Sequence, residues 1–202
     1  MNLLLLDHGA GNVTSVERAL HRLGATPQRT TAPESLAAAN AIILPGVGHY
    51  SALIRALDQR QLRAPLVSAI QRGVPFLGIC LGLQALYKSS AEAPELNGLN
   101  LIPGHVASLP ADVKLPHMGW NQLQLTRPSR LLANISPDAF FSFAHSFAAT
   151  EPDGEAAALC VYGTPFAAVI EYRNIYATQF HPEKSGAPGA KLLQNFLEGC
   201  VT

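Results

Sequence analysis

The chain has 202 residues, 48% of them hydrophobic, and its 14 Lys plus Arg balance 14 Asp plus Glu. That length can bury a substantial core and suits one domain over residues 1–202, while the charge balance excludes a field that would gather nucleic acid or an anionic membrane surface. The apolar run at 3–6 is cut off by Asp7 and is too short for a signal or membrane segment, and three widely spaced cysteines, Cys80, Cys160 and Cys200, suit a reducing, cytoplasmic setting better than a disulfide framework.

A strand over 2–6 opens the chain. Val13, Val16, Leu20 and Leu23 then recur on one helical face, with Thr14 and Glu17 at capping-box spacing and Gly24 as a stop. Further strands are predicted over 26–30, 41–44 and 74–79. Strand and helix in alternation imply right-handed crossovers and an α/β fold with a mostly parallel sheet flanked by helices. In such sheets the chemistry gathers at the carboxyl ends of the strands. From about Leu99 the pieces shorten. Those at 121–126, 140–147, 156–162 and 166–171 look antiparallel and add a second β portion. A turn near Arg173 and Asn174 leads into a strand over 175–180, and a helix over 189–198 closes the chain.

GICLG, at 78–82, follows an apolar strand and opens a helix, matching the nucleophile elbow G-x-S-x-G with cysteine in place of serine. Flanking glycines remove side chains that would clash in so tight a turn, and a helix amino terminus and a nearby base favour the thiolate. Taken alone, GxCxG fits an ordinary buried cysteine equally well. HPEKS, at 181–185, also follows a predicted strand. His181 and Glu183 there would project to the same side of an extended segment, a base beside the carboxylate that orients it. A surface turn is the plain alternative. PGVG, at 45–48, ends a third strand, and one of its amides with the Leu81 amide could bind the oxyanion of a tetrahedral intermediate. His21 reads as a solvated helix residue, His49 and His105 as loop residues. No CxxC or HExxH spacing occurs, so neither metal nor cofactor is expected.

Together these residues resemble the class I (triad) glutamine amidotransferases, in which a cysteine elbow followed by glutamine accompanies HPE; Gly82 and Gln84 match that elbow. PGVG, PHMGWN at 116–121, AHSF at 144–147, HPEKS and the opening DHGAGN at 7–12 are similar, within that family, to the glutaminase subunits of imidazole glycerol phosphate synthase in histidine biosynthesis. The resemblance implies a flavodoxin-like fold and a Cys80, His181 and Glu183 triad that releases ammonia from glutamine. It implies an oxyanion hole completed by the Val47 amide, and substrate contacts at Gly48, Gln84, His145 and Ser146. It also implies a heterodimer with a (β/α)8-barrel cyclase docked against Asn12, Trp120 and Lys184. Ser142, His8, Ala10, His49 and Tyr50 depart from the family pattern. Rival readings are a glutaminase subunit of an anthranilate or aminodeoxychorismate type synthase, a cysteine hydrolase for another amide, and a non-catalytic binding module of the same fold.

Overall fold

Leu3–Leu6 forms strand β1, and all four leucines are buried because helices cover both sheet faces. Alternate side chains point to opposite faces, so Leu3 and Leu5 join one hydrophobic cluster and Leu4 and Leu6 the other. Each contributes on the order of 2 kcal/mol by leaving water. These features belong to a computed structural model that describes residues 2–9, 12–152 and 154–201. Ala10 and Gly11 of the opening motif lie outside the described residues.

Helix α1 (Val13–Arg22) follows, with Val13, Val16 and Leu20 buried. Its cap is Asn12 and no side chain closes the cap, so Thr14 sits inside the first turn and the capping-box reading fails. Gly24 does end the helix, at φ +79. Then come β2 (Gln28–Thr30), a 3-10 turn at Pro33–Ala38, and β3 (Ala41–Gly46), which takes in the first half of PGVG. Two helices, α2 (Tyr50–Gln59) and α3 (Arg63–Gln71), precede β4 (Phe76–Cys80) and the four-residue α4 (Leu81–Gln84). Leu53, Ile54, Leu57, Leu66 and Ile70 of α2 and α3 cover one sheet face, whereas α1 covers the other.

Shorter strands follow: β5 (Ser89–Ser90), β6 (His105–Ser108), β7 (His117–Asn121), β8 (Gln124–Leu125), β9 (Phe141–His145) and β10 (Phe147–Ala148). His105 therefore begins a strand and is not a loop residue. Longer strands β11 (Ala156–Tyr162), β12 (Thr164–Tyr172) and β13 (Ile175–Thr178) lead to a 3-10 turn at Pro182–Lys184 and to α5 (Gly186–Asn195). A π-helical turn, Phe196–Cys200, continues α5. The central sheet runs β2-β1-β3-β4-β13-β12-β11-β8, parallel as far as β13 and antiparallel beyond. The antiparallel portion is thus largely a continuation of that sheet. Among the described residues, β7 with β9, and β5 with β6 and β10, stand apart.

Candidate active site

Strands β3, β4 and β13 are adjacent and parallel, so their carboxyl ends share one rim. Cys80 ends β4 with φ 55 and ψ −104, a left-handed conformation that costs on the order of 1–3 kcal/mol in a residue with a Cβ. Close packing holds it there. A Cβ on Gly82 would lie 2.0 Å from the Leu44 carbonyl oxygen, so only glycine lets α4 start directly against β3. Cys80 is 4% exposed, and what remains open faces a cavity.

His181 lies three residues beyond β13. Its Nδ1 is 2.9 Å from Glu183 Oε1, and since a carboxylate accepts, Nδ1 carries the proton. Cys80 acts on the same ring, and with Nδ1 committed to Glu183, Nε2 is the nitrogen left to face the sulfur. Backbone bonds fix the segment: the His181 amide donates to Ser142 O at 2.9 Å and Ser185 Oγ donates to His181 O at 2.7 Å. Burial pulls the imidazole pKa down, but the bonds to Cys80 and Glu183 outweigh it and raise it. Glu183 reaches the ring through the 3-10 turn, not along an extended segment, and its side chain is 0% exposed. Asn12 Nδ2 donates to the same Oε1 at 3.2 Å.

The cavity, about 500 Å3, is lined by Val47, Gly48, Cys80, Leu81 and Gln84 on one side. Ser146, His181 and Lys184 complete it with Glu92 and His145. Gln84 Nε2 donates to Phe147 O at 2.8 Å and to Gln179 Oε1 at 3.1 Å, while its buried Oε1 has no partner among the described residues. That oxygen can accept from an ammonium or amide brought by a substrate. Glu92 adds a carboxylate whose Oε2 accepts from the Tyr50 amide at 2.8 Å. Gly48, at φ +95, turns the loop after β3 over the cavity in a conformation that suits glycine.

His145 offers a wall and not a hydrogen bond. Its Nδ1 is 3.0 Å from Phe147 O, which can only accept, so Nδ1 is protonated and Nε2 accepts from His117 Nδ1 at 3.1 Å. His117 is stacked between Phe143, 4.8 Å away, and Tyr162, 4.0 Å away. Burial holds His117 down to about 4 and His145 to about 3.

The structure brings Cys80, His181 and Glu183 together and gathers Val47, Gly48, Leu81, Gln84, His145 and Ser146 around them. Asn12 lines the same cavity and bonds the triad carboxylate, while Lys184 is exposed at its rim. Trp120, 57% exposed, lies apart with Phe140, Ser185 and Lys191 on a second groove of about 580 Å3. His49 caps α2 by accepting from the Ser51 amide at 3.2 Å, and Tyr50 is buried in the core. Sequence reasoning missed Glu92, Gln179 and the His117 partner of His145. Glu92 sits in no motif, but Gln179 lies two residues before HPE and could have been read with it. Among the described residues no group of three or more His, Cys, Asp or Glu side chains is arranged for a metal, and no helix is long and apolar enough to cross a membrane.

The glutamine amidotransferase class-I family matches residues 4–200. A curated imidazole glycerol phosphate synthase subunit HisH of Desulfitobacterium hafniense (strain Y51) is 45% identical over 95% of this chain and 92% of its own. The protein of the same name from Methanothermobacter thermautotrophicus is 45% identical over 97% of this chain and 98% of its own. Among solved structures, a glutamine amidotransferase superposes with TM-score 0.78 at 19% identity, covering 98% of each chain, a likeness of fold.

Proposed function

The chain belongs to the class-I glutamine amidotransferases and, within them, to the HisH subunits of imidazole glycerol phosphate synthase, and on that premise we propose that it hydrolyses glutamine to glutamate and ammonia through Cys80, His181 and Glu183. The observation that carries the reading is one set of groups in one cavity: a cysteine on a strained elbow, an imidazole sharing the cavity with it, and a buried carboxylate 2.9 Å from that imidazole.

His181 takes the thiol proton, and the sulfur attacks the side-chain amide carbon. The tetrahedral oxygen falls to the amides of Leu81 and Val47. His181 then protonates the departing ammonia, and water cleaves the glutamyl thioester. Glu183 stabilises the imidazolium through both proton transfers. At the amino-acid end, Gln84 Oε1 and Glu92 accept from the substrate's ammonium, with Gly48, Ser146 and the His145 ring shaping the seat.

Residues 1–202 act as a single domain in the cytoplasm. Ammonia passes to a (β/α)8-barrel cyclase that makes imidazole glycerol phosphate and an aminoimidazole carboxamide ribotide. Trp120 on its exposed groove, Lys184 at the rim and the Asn12 segment form the docking face. The test mixes the chain with a candidate cyclase and its nucleotide, adds glutamine and follows glutamate beside a Cys80→Ala control. Release dependent on Cys80 and stimulated by the cyclase is expected; release that survives in the control removes Cys80 from the chemistry.

A further inference from the structure

A chain of side-chain bonds runs behind the triad, and its atoms can be assigned from chemistry alone. The Phe147 carbonyl only accepts, so the Gln84 atom 2.8 Å from it is the amide nitrogen. The same nitrogen lies 3.1 Å from a Gln179 atom, which must then be the oxygen. The Gln179 nitrogen is therefore the end turned to Cys80, with Nε2 3.6 Å from Sγ. Gln179 is 0% exposed and its backbone amide is held by Ala168 O at 3.0 Å, so the carboxamide has no slack in which to turn away.

We propose that Gln179 is a further catalytic residue, donating its side-chain N–H to the Cys80 sulfur while its oxygen, by accepting from Gln84, ties that donor to the seat of the substrate. The inference rests on the glutaminase reading above. A donor aimed at sulfur favours the anion before attack and, with His181, confines the sulfur to one direction between two partners. Once the thioester forms, sulfur is a poor acceptor, so the contact is strongest in the thiolate that attacks. Because Gln84 lies at the other end of the amide, ligand binding there and the ionisation of Cys80 share one carboxamide.

The donor has two opposed effects, which give it a signature. It raises the thiolate population and lowers the thiolate's intrinsic nucleophilicity, since nucleophilicity falls with pKa by a Brønsted slope of about 0.4–0.5. Losing one such bond shifts the ionisation by roughly one pH unit. The experiment measures iodoacetamide alkylation of Cys80 against pH in the full chain and in Gln179→Met, which keeps length without a donor. Gln179→Glu, which keeps an oxygen for Gln84, serves as the second variant. Gln179→Met should show a profile moved up by about one pH unit with a plateau about threefold higher, so that its curve crosses the unmodified chain's, and Gln179→Glu, whose carboxylate also opposes the thiolate, should move up at least as far. In the same samples kcat should fall about threefold at neutral pH, with KM for glutamine little changed.

Superimposable profiles, or a uniform drop at every pH, would overturn the assignment, because a merely structural role lowers the whole curve without moving it. Should neither variant fold, the side-chain amide signal of Gln179 in the unmodified chain is followed by NMR as Cys80 is alkylated. It should move, and a stationary signal refutes the contact. An unmodified chain that releases no glutamate but shows the crossing curves would sink the glutaminase reading and spare Gln179. Normal turnover with identical curves would do the reverse.

Discussion

Lowering the pH should expose the buried imidazole pair through stability, and His117→Phe isolates its share. Burial opposes the charged form of both rings, and because Phe147 O fixes the His145 tautomer, a proton on His145 Nε2 would also meet the His117 N–H across the 3.1 Å contact. The folded rings therefore resist protonation, near 4 for His117 and near 3 for His145, whereas both titrate near 6.5 in the unfolded chain. Below pH 6.5 the unfolded state binds more protons, so stability falls as pH falls through that value and levels off only below the folded pKa values. At pH 4.5, two units down, each ring favours unfolding by roughly 2.7 kcal/mol at 1.36 kcal/mol per unit. For His117 about half of that survives screening, since the residues that follow it in β7, Met118 to Trp120, are open to solvent. His181, whose pKa is raised, contributes stability that is complete below pH 6.5 and is lost as pH rises above it, so it is flat through the acid window and cancels between the two chains. Phenylalanine keeps the stack between Phe143 and Tyr162. Urea midpoints at pH 7, 6, 5 and 4.5 should show His117→Phe losing about 1.4 kcal/mol less than the unmodified chain between the extremes. His8, also held down by burial, titrates alike in both chains and cancels in the difference. Equal losses in the two chains would refute the reasoning.

Gly82→Ala places a methyl 2.0 Å from the Leu44 oxygen, backbone that cannot swing away; a loss of about 2 kcal/mol or more is expected by urea denaturation, with glutaminase activity falling alongside. Glu183→Gln keeps the volume but removes the charge that holds the imidazolium, and kcat should drop about 100-fold or more with KM little changed, read by glutamate release. Glu92→Gln should raise KM for glutamine about tenfold and leave kcat nearly intact, because Glu92 faces the substrate's charged end and not the sulfur.

Two strands that frame the site were legible because each is an apolar run that meets a glycine or proline: 41–44 ahead of PGVG, and 74–79 running into GICLG. The turn at Arg173 and Asn174 was legible too, and Arg173 adopts φ 56 there. What local pattern could not carry was strand partnership. Whether the antiparallel pieces pack elsewhere or extend the parallel sheet depends on β13 choosing β4, a contact about a hundred residues distant in sequence. The capping box misled because Thr14 and Glu17 fit a spacing that Asn12 pre-empts. Glu92 was invisible for a related reason. It stands in a loop of no regular period, and its carboxylate is held at the cavity by the Tyr50 amide.

Register is what makes the three strand ends into one site. Gly46 pairs with Cys80 and Ile79 with Thr178, so β4 is gripped on both sides in one alignment. A slip of β13 by one residue would carry His181 about 3.3 Å along and turn its approach to the other sheet face. At the rim the His181 amide is held by Ser142 O and the Gln179 amide by Ala168 O. A second constraint lies at the far end, where Tyr172 pairs with Ile175 across a two-residue turn and Asn174 Nδ2 donates to Ile70 O at 2.8 Å and to Val74 O at 2.7 Å. The hairpin is thereby pinned to the end of α3 just before β4 begins. The distance between thiol and imidazole is accordingly set in part from the opposite edge of the sheet, by residues that never meet a substrate.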